Sequence, residues 1–195
     1  MENKTVIGFI GAGNMAYALI KGLLSDGFEA KNINVSDANP ELLEKRSSEL
    51  GVTAQPDNVS LLNNSDIVVF AVKPQVLSVV CHELKNKAST NQLFVSIVAG
   101  IKSKDINRWL GGDFALVRTM PNTPALFQSG VTGLYANELV NDIQKESVNL
   151  LLSAVGECFW VNEENLLDAI TAISGSGPAY FFLMMQSMKQ AAMAL

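Results

Sequence analysis

One turn near the amino terminus constrains the fold more than any other feature. In GFIGAGNMAYALIKGL, residues Gly11, Gly13 and Ala16 form a G-x-G-x-x-A pattern between a short apolar run and an amphipathic segment. The first glycine permits a tight turn, the second lets the backbone approach a pyrophosphate, and the small third residue lets helix and strand pack closely. Backbone N–H groups of Asn14 and Met15 would then face that pyrophosphate. This context predicts dinucleotide binding, with a purely structural turn as the alternative.

The first hundred residues alternate apolar runs with helical spacing. The runs TVIGFI, NINVSD, DIVVFAV and LFVSIVA are typical of buried parallel strands, and residues 15–24, 40–50 and 75–84 have the periodicity of helices. Strands near ALVRTM and GVTGLYA, a helix over 140–154 and a closing strand at GECFWV continue the pattern. We therefore predict an α/β fold with a doubly wound parallel sheet and helices on both faces.

After residue 161 the pattern changes to two consecutive helices, NEENLLDAITAIS and GPAYFFLMMQSMKQAAMAL, the second beginning near Pro178. We predict one domain over 1–161 and the start of a helical domain over 162–195. The last helix is apolar on nearly every face to Leu195, so we expect a partner subunit, a missing C-terminal segment, or both. Gln186, Lys189 and Gln190 near its middle disfavour a membrane span.

Composition narrows the partners and the compartment. The net charge is −5 and the basic residues are scattered, which disfavours binding to nucleic acid or an anionic membrane. The amino terminus lacks the layout of a secretory signal, so we expect a cytoplasmic protein. Cys81 and Cys158 form no CxxC pair, so we expect no disulfide framework and no metal site.

Asp37, at the end of the run INVSD, bears on the choice of cofactor. A carboxylate there can accept hydrogen bonds from the adenosine ribose and repels a 2′-phosphate, which favours NADH over NADPH. Ser36 and Asn39 lie beside it in sequence and Asn58 lies in the following loop, so a phosphate could still be accommodated. A plain helix cap before Pro40 is the alternative for Asp37.

Three later loops follow predicted strands, at the edge where doubly wound sheets bind ligands. Lys73 and Pro74 follow one strand, and Ala99 and Gly100 follow the next and leave room for a nicotinamide ribose. Asn122 lies in the loop RTMPNTPA, which two prolines make rigid. The alternatives are that Lys73 is a solvated loop residue and that RTMPNTPA is an ordinary turn.

Together, GFIGAGNMA, AVKP, RTMPNTPA and ISGSGPAYFF resemble the pyrroline-5-carboxylate reductase family over about residues 6–195. The resemblance implies a Rossmann-type domain followed by an all-helical dimerisation domain, a homodimer and in some members a ring of dimers. It also implies reduction of 1-pyrroline-5-carboxylate to L-proline with NADPH or NADH. The family commonly prefers NADPH, whereas the interpretation of Asp37 as a ribose ligand favours NADH.

The resemblance also implies roles for individual residues. It places around the cofactor Gly11, Ala12, Gly13, Asn14, Met15, Asn58, Ala71, Val72, Lys73, Pro74 and Ala99. It places towards the substrate Glu164, Thr171, Ser174, Gly175, Ser176, Gly177 and Pro178. Family members carry a Gly- and Thr-rich loop for the substrate carboxylate farther along the chain, and this sequence ends before such a loop.

The expected chemistry needs little from side chains. A ring imine can take its proton from water, so catalysis reduces to positioning, and we assign no residue as catalytic. His82, the one histidine, has no evident partner in sequence. Free N–H groups at the helix start SGSGP could face an anionic substrate.

Two alternatives remain open: another Rossmann reductase acting on an imine or ketone, and a non-catalytic NAD(P)-binding dimer. The β-hydroxyacid dehydrogenases are similar to one another in placing a catalytic lysine after a glycine pair. Here no lysine follows Gly177 before Lys189, which disfavours alcohol oxidation.

Overall fold

The structure is a computed structural model that describes residues 5–194, so Leu195, the last residue of the predicted helical domain, lies outside the described residues. Its centre is one sheet of eight strands. The strands are β1 Ile7–Ile10, β2 Ile33–Ser36, β3 Thr53–Ala54, β4 Ile67–Phe70, β5 Leu93–Ser96, β6 Ala115–Met120, β7 Gly130–Ala136 and β8 Gly156–Trp160.

Helices connect these strands. They are α1 Asn14–Ser25, α2 Pro40–Leu50, α3 Asn58–Asn63, α4 Pro74–Leu84, α5 Ser103–Leu110, α6 Asp142–Ser153, α7 Leu166–Ile170 and α8 Gly177–Met193, with short 3₁₀ turns at Ala30–Asn32 and Thr123–Phe127. The α/β fold with helices on both faces is confirmed. Strand β3 and helices α3 and α5 were not predicted, since they have only two, six and eight residues and periodicity is read over longer windows.

The sheet order is β3-β2-β1-β4-β5-β6-β7-β8. The chain adds strands on one side of β1 and then on the other, which is typical of doubly wound folds. Strands β1 to β6 are parallel, but β7 pairs antiparallel with β6 and β8 pairs parallel with β7. The predicted doubly wound parallel sheet is therefore confirmed for β1 to β6, and β7 and β8 run in the opposite direction. The connection between β6 and β7 covers only residues 121–129, and a parallel crossover needs about a dozen residues or more.

Two apolar layers hold the sheet. One contains Phe9, Val35 and Val117 with the buried faces of α1 and α6, and the other contains Phe70 and Phe94 with α3, α4 and α5. Helices cover both faces of the sheet, and β1, β4 and β5 end together at its carboxyl edge. This edge positions the site.

The C-terminal segment is one continuous helical run. Between α7 and α8, residues Thr171–Ser176 form a π-helical turn, and all 28 residues of Leu166–Met193 stay helical. The prediction of two helices, with a free helix start at SGSGP, is wrong. Pro178 lacks an N–H and its ring clashes with the carbonyl four residues earlier in a regular helix, and the wider π turn accommodates it.

Candidate functional site

Gly11 makes the turn between β1 and α1 through a backbone that only glycine adopts easily. Its φ is +106°, and its N–H donates to the carbonyl of Ser36 at 2.7 Å. A Cβ at this position would lie 2.5 Å from the carbonyl oxygen of Ala71. The glycine is therefore required by the turn itself, because β1 passes so close to the loop after β4.

Gly13 differs, because the protein itself leaves its surroundings open. It is the N-cap of α1 with φ −67°, and a Cβ there would meet no atom within 4 Å. No side chain caps this helix, so the first N–H groups of α1, including those of Asn14 and Met15, have no side-chain acceptor. Ala16 behind them is buried at 1% exposure. Open space beside uncapped helix N–H groups fits a pyrophosphate.

Asp37 holds the glycine-rich turn directly. One carboxylate oxygen accepts the N–H of Ala12 at 2.7 Å, and the other accepts the N–H of Asn39 at 2.8 Å. Asn39 itself caps α2 by accepting from Leu42, so the interpretation of Asp37 as that helix's cap is wrong. Each carboxylate oxygen keeps a second acceptor position, so a ribose contact stays a prediction.

Asn58 comes within hydrogen-bond distance of the end of β2, as the sequence position suggested. The buried hydroxyl of Ser36 donates to its amide oxygen at 2.8 Å, and its amide nitrogen donates to Glu83 at 2.8 Å. Ser36 is 1% exposed, so it would act on a ligand only through Asn58. Glu83, on α4, was missed because nothing local in the sequence pairs it with α3.

A second missed cluster supports the start of α1. Arg46 on α2 lies 4.0 Å from the ring centroid of Tyr17, and one of its guanidinium nitrogens is 3.4 Å from the side-chain oxygen of Asn14. Tyr17 donates to Glu49 at 2.5 Å, which raises the pKa of Tyr17 and lowers the pKa of Glu49. Residues 32 positions apart meet here, and no sequence spacing signals it.

The remaining predicted cofactor residues lie at the same sheet edge. The N–H of Ala71 donates to the carbonyl of Ile10 at 2.8 Å, so the loop of Ala71 and Val72 lies against the glycine turn. Lys73 is the exposed N-cap of α4 and Pro74 its first residue. Ala99 is half-buried in the loop between β5 and α5.

Asn122 connects this edge to the helical segment. Its amide nitrogen donates to the hydroxyl oxygen of Ser174 at 2.9 Å, and its amide oxygen accepts the N–H of Val131 at 2.9 Å. A Cβ on Gly175 would lie 2.8 Å from the end of the Met120 side chain, so the π turn lies directly over the end of β6. The structure thus brings a residue predicted for the cofactor against one predicted for the substrate.

The other residues predicted for the substrate have different surroundings. The Thr171 hydroxyl donates to the carbonyl of Leu167 at 2.7 Å within its own helix. Ser176 is exposed and Gly177 half-buried in the π turn and the first position of α8. Glu164 accepts, through one carboxylate oxygen, the N–H of Ser103 at 2.6 Å and a guanidinium N–H of Arg118 at 3.0 Å.

A separate cleft lies away from the predicted site residues. It has a volume of about 700 Å³ and is lined by α5 and the end of β7, including Lys104, Arg108 and Tyr135. It contains none of the predicted site residues. A cofactor groove along a sheet edge is a shallow crevice rather than an enclosed cavity, and so this cleft does not argue against it.

Family models match two parts of the chain. Residues 6–100 match the family model described as NADP oxidoreductase, coenzyme F420-dependent, and residues 164–195 match the one described as pyrroline-5-carboxylate reductase dimerisation. The pyrroline-5-carboxylate reductase of Pseudomonas aeruginosa is 47% identical over 185 residues, which cover 95% of this chain and 68% of that protein.

Two solved structures are similar over nearly the whole chain. A pyrroline-5-carboxylate reductase from Coxiella burnetii superposes with a TM-score of 0.90 at 40% identity, covering 98% of this chain and 72% of the other. The Plasmodium falciparum pyrroline carboxylate reductase with NADP bound superposes with a TM-score of 0.85 at 28% identity, covering 98% and 70%.

Proposed function

The chain belongs to the pyrroline-5-carboxylate reductase family, and we propose that its sheet edge holds NADPH or NADH while its π turn faces the substrate. It is an NAD(P)H-dependent oxidoreductase that reduces the C=N bond of 1-pyrroline-5-carboxylate to give L-proline. We also propose the residue assignments given below and a domain boundary between residues 161 and 162. The dimerisation match, which begins at residue 164, supports this boundary.

The observation that carries the cofactor assignment is the contrast between two glycines. Gly11 is required by the fold because a Cβ there meets the backbone of Ala71, whereas Gly13 faces open space. A position where the protein would tolerate a methyl group, beside uncapped helix N–H groups, fits a bound pyrophosphate. When bound, the reduced nicotinamide supplies the hydride.

On the cofactor side we assign Gly11, Ala12, Gly13, Asn14, Met15, Ser36, Asp37, Asn58, Ala71, Val72, Lys73, Pro74, Ala99 and Asn122. Their shared location at the ends of β1, β2, β4, β5 and β6 supports this assignment. Ser36 and Asn122 act through the hydrogen bonds they make to Asn58 and Ser174. Each Asp37 oxygen accepts one backbone N–H and keeps a second acceptor position for a ribose hydroxyl, which favours NADH, and NADPH remains the alternative.

On the substrate side we assign Glu164, Thr171, Ser174, Gly175, Ser176 and Gly177, with Glu164 acting through the hydrogen bonds it accepts from Ser103 and Arg118. The Ser174 oxygen accepts a hydrogen bond from Asn122, which leaves its own O–H as a donor for the substrate. Hydride addition to the imine carbon needs one proton on the ring nitrogen, and water can deliver it before binding. A dedicated protein acid is therefore unnecessary, and the site acts by orienting its ligands.

Self-association follows from the dimerisation match, and α8 supplies an apolar surface for it. None of its described residues is buried, and Phe181, Phe182, Leu183 and Met188 are each more than 60% exposed. By length and composition the run Leu166–Met193 could also cross a membrane. We propose instead that a second subunit covers it in the cytoplasm, and that a ring of dimers is a further assembly state.

The test is turnover by the full-length protein with 1-pyrroline-5-carboxylate, followed by the loss of reduced nicotinamide absorbance and by proline formation. We expect both products with NADPH and with NADH, at different rates. Oxidation of the cofactor only when a different imine or ketone is the substrate would favour the alternative of another Rossmann reductase. Tight cofactor binding without turnover on any such substrate would favour the non-catalytic alternative, and either result would overturn the proposal.

A further inference from the structure

Arg118 is a charged residue buried on the face of the sheet. It lies on β6, paired in register with Ser96 of β5 and Tyr135 of β7, and its side chain is 5% exposed. A guanidinium buried in this way is costly unless an opposite charge compensates it. Its partner is Glu164, whose carboxylate oxygen lies 3.0 Å away and whose side chain is 19% exposed.

Glu164 does more than neutralise this charge. The same oxygen accepts the backbone N–H of Ser103, the first residue of α5, at 2.6 Å. Lys102, the N-cap of α5, offers no side-chain cap, so a residue 61 positions away satisfies that helix start. One oxygen atom therefore joins three parts of the chain: strand β6, the start of α5 and the turn that leads into α7.

These three parts lead to the two sides of the proposed site. The loop before α5 contains Ala99 on the cofactor side, and α7 leads directly into the π turn with Ser174 on the substrate side. Helix α7 also packs against the sheet, since Leu167 is 2% exposed and a Cβ on Gly133 of β7 would lie 3.3 Å from the end of its side chain. Moving the Glu164 carboxylate would shift the cofactor loop and the π turn relative to each other.

We propose that Glu164 is a positioning residue that works through Arg118 and the N–H of Ser103, setting the separation between the cofactor loop and the substrate-facing π turn. The inference rests on the proposed function and deepens it. The pair is not fully matched: the Arg118 Nε is buried with no hydrogen-bond partner, so the guanidinium donates to Glu164 through one nitrogen only. A small displacement of Glu164 therefore breaks the link without a second bond to preserve it.

The test compares Glu164→Gln and Glu164→Ala with Glu163→Gln, which removes a neighbouring exposed carboxylate of the same charge. For Glu164→Ala we expect at least a tenfold fall in kcat/KM for the imine. The binary Kd for NADPH or NADH, measured by quenching of protein fluorescence, should change less than about threefold because the glycine turn is untouched. Glu164→Gln keeps an acceptor for Ser103 and should lose less, and Glu163→Gln should match the parent protein.

A double-variant cycle separates positioning from direct contact with substrate. If Glu164 acts through Arg118, then Arg118→Met and Glu164→Ala should each lower kcat/KM, and the double variant should be no worse than the poorer single variant. Arg118→Lys, which keeps the charge, should recover part of the activity lost in Arg118→Met. Should a variant fold poorly, its melting temperature identifies this, and Glu164→Gln with Arg118→Lys still provides the comparison.

Two results would overturn the inference. One is full kcat/KM in Arg118→Met together with a large loss in Glu164→Gln, which would make Glu164 a substrate ligand in its own right. The other is a lowered melting temperature in the Glu164 variants with unchanged kcat and KM. An inactive parent protein would instead count against the proposed function, so the two failures are distinguishable.

Discussion

Adding a single methyl group at Gly13 should separate folding from cofactor binding. The protein places no atom within 4 Å of a Cβ at this position, and φ is −67°, a value that alanine adopts freely. Alanine is a poorer N-cap than glycine, but it also reduces the entropy of the unfolded chain, and the two effects are each within about 1 kcal/mol. We therefore expect Gly13→Ala to change the melting temperature by no more than about 3 °C.

The cofactor should respond very differently. The added methyl group occupies the space through which a pyrophosphate approaches the N–H groups of α1, so at least one charge-assisted hydrogen bond is lost. Such a bond contributes about 1.5–3 kcal/mol, and each 1.4 kcal/mol is tenfold, so Kd for NADPH and NADH should rise by about 10- to 150-fold. Fluorescence titration measures this, with circular dichroism of the same samples reporting the fold.

Gly11→Ala is the matched comparison, because its damage should appear in the fold itself. A positive φ costs about 1–3 kcal/mol for alanine, and overpacking against the Ala71 carbonyl costs about 1–3 kcal/mol more. At about 2–4 °C per kcal/mol, the melting temperature should fall by roughly 4–24 °C. Gly27→Ala, with φ +88° and no neighbour within 4 Å, isolates the cost of the backbone conformation. Unchanged cofactor affinity in Gly13→Ala would refute the pyrophosphate assignment.

Three further changes test other parts of the structure. Asp37→Ala should weaken the binding of both cofactors by loosening the glycine turn, and it should lower the ratio of kcat/KM for NADH to kcat/KM for NADPH. An unchanged ratio would rule out a contact of Asp37 with the ribose. Phe182→Glu should convert the dimer to monomer in sedimentation at micromolar concentration. The control Asn91→Glu, which changes an exposed loop residue, should leave the dimer intact. A stable monomer in the parent protein would contradict the proposed interface on α8. Burial raises the pKa of Cys81 to about 12. After treatment with an alkylating reagent at mildly alkaline pH, mass spectrometry should therefore find Cys81 unmodified in native protein and modified in protein unfolded in urea. Rapid modification of the native protein would contradict the burial of Cys81.

The elements predicted correctly are those whose signals are local. The turn from β1 into α1 is specified by residues within one stretch of sixteen, and each of its glycines has a separate steric reason. The alternation of buried strands with amphipathic helices is likewise a property of short windows. The reversed direction of β7 could also have been predicted, because the nine residues between β6 and β7 are too few for a parallel crossover.

The contacts that join the two sides of the site could not be predicted in the same way. Asn122 meets Ser174 across 52 positions, and Arg118 meets Glu164 across 46. Neither pair has a spacing that a helix or strand would impose, and Arg118 in sequence is simply one polar residue in an apolar strand. Only the tertiary fold shows that the charge is buried and which carboxylate compensates it.

Pro178 shows why the irregular part of the helix coincides with the site. The sequence pattern treated this proline as a helix start, which is its commonest helical position, but the chain continues helically on both sides of it. The helix accommodates the proline by widening into a π turn over Thr171–Ser176. The widened turn lies where Gly175 contacts Met120 and Ser174 reaches Asn122. A π turn closes its hydrogen bonds over five residues instead of the four of an α-helix, so the irregular turn and these two contacts occupy the same short segment, beside the end of β6.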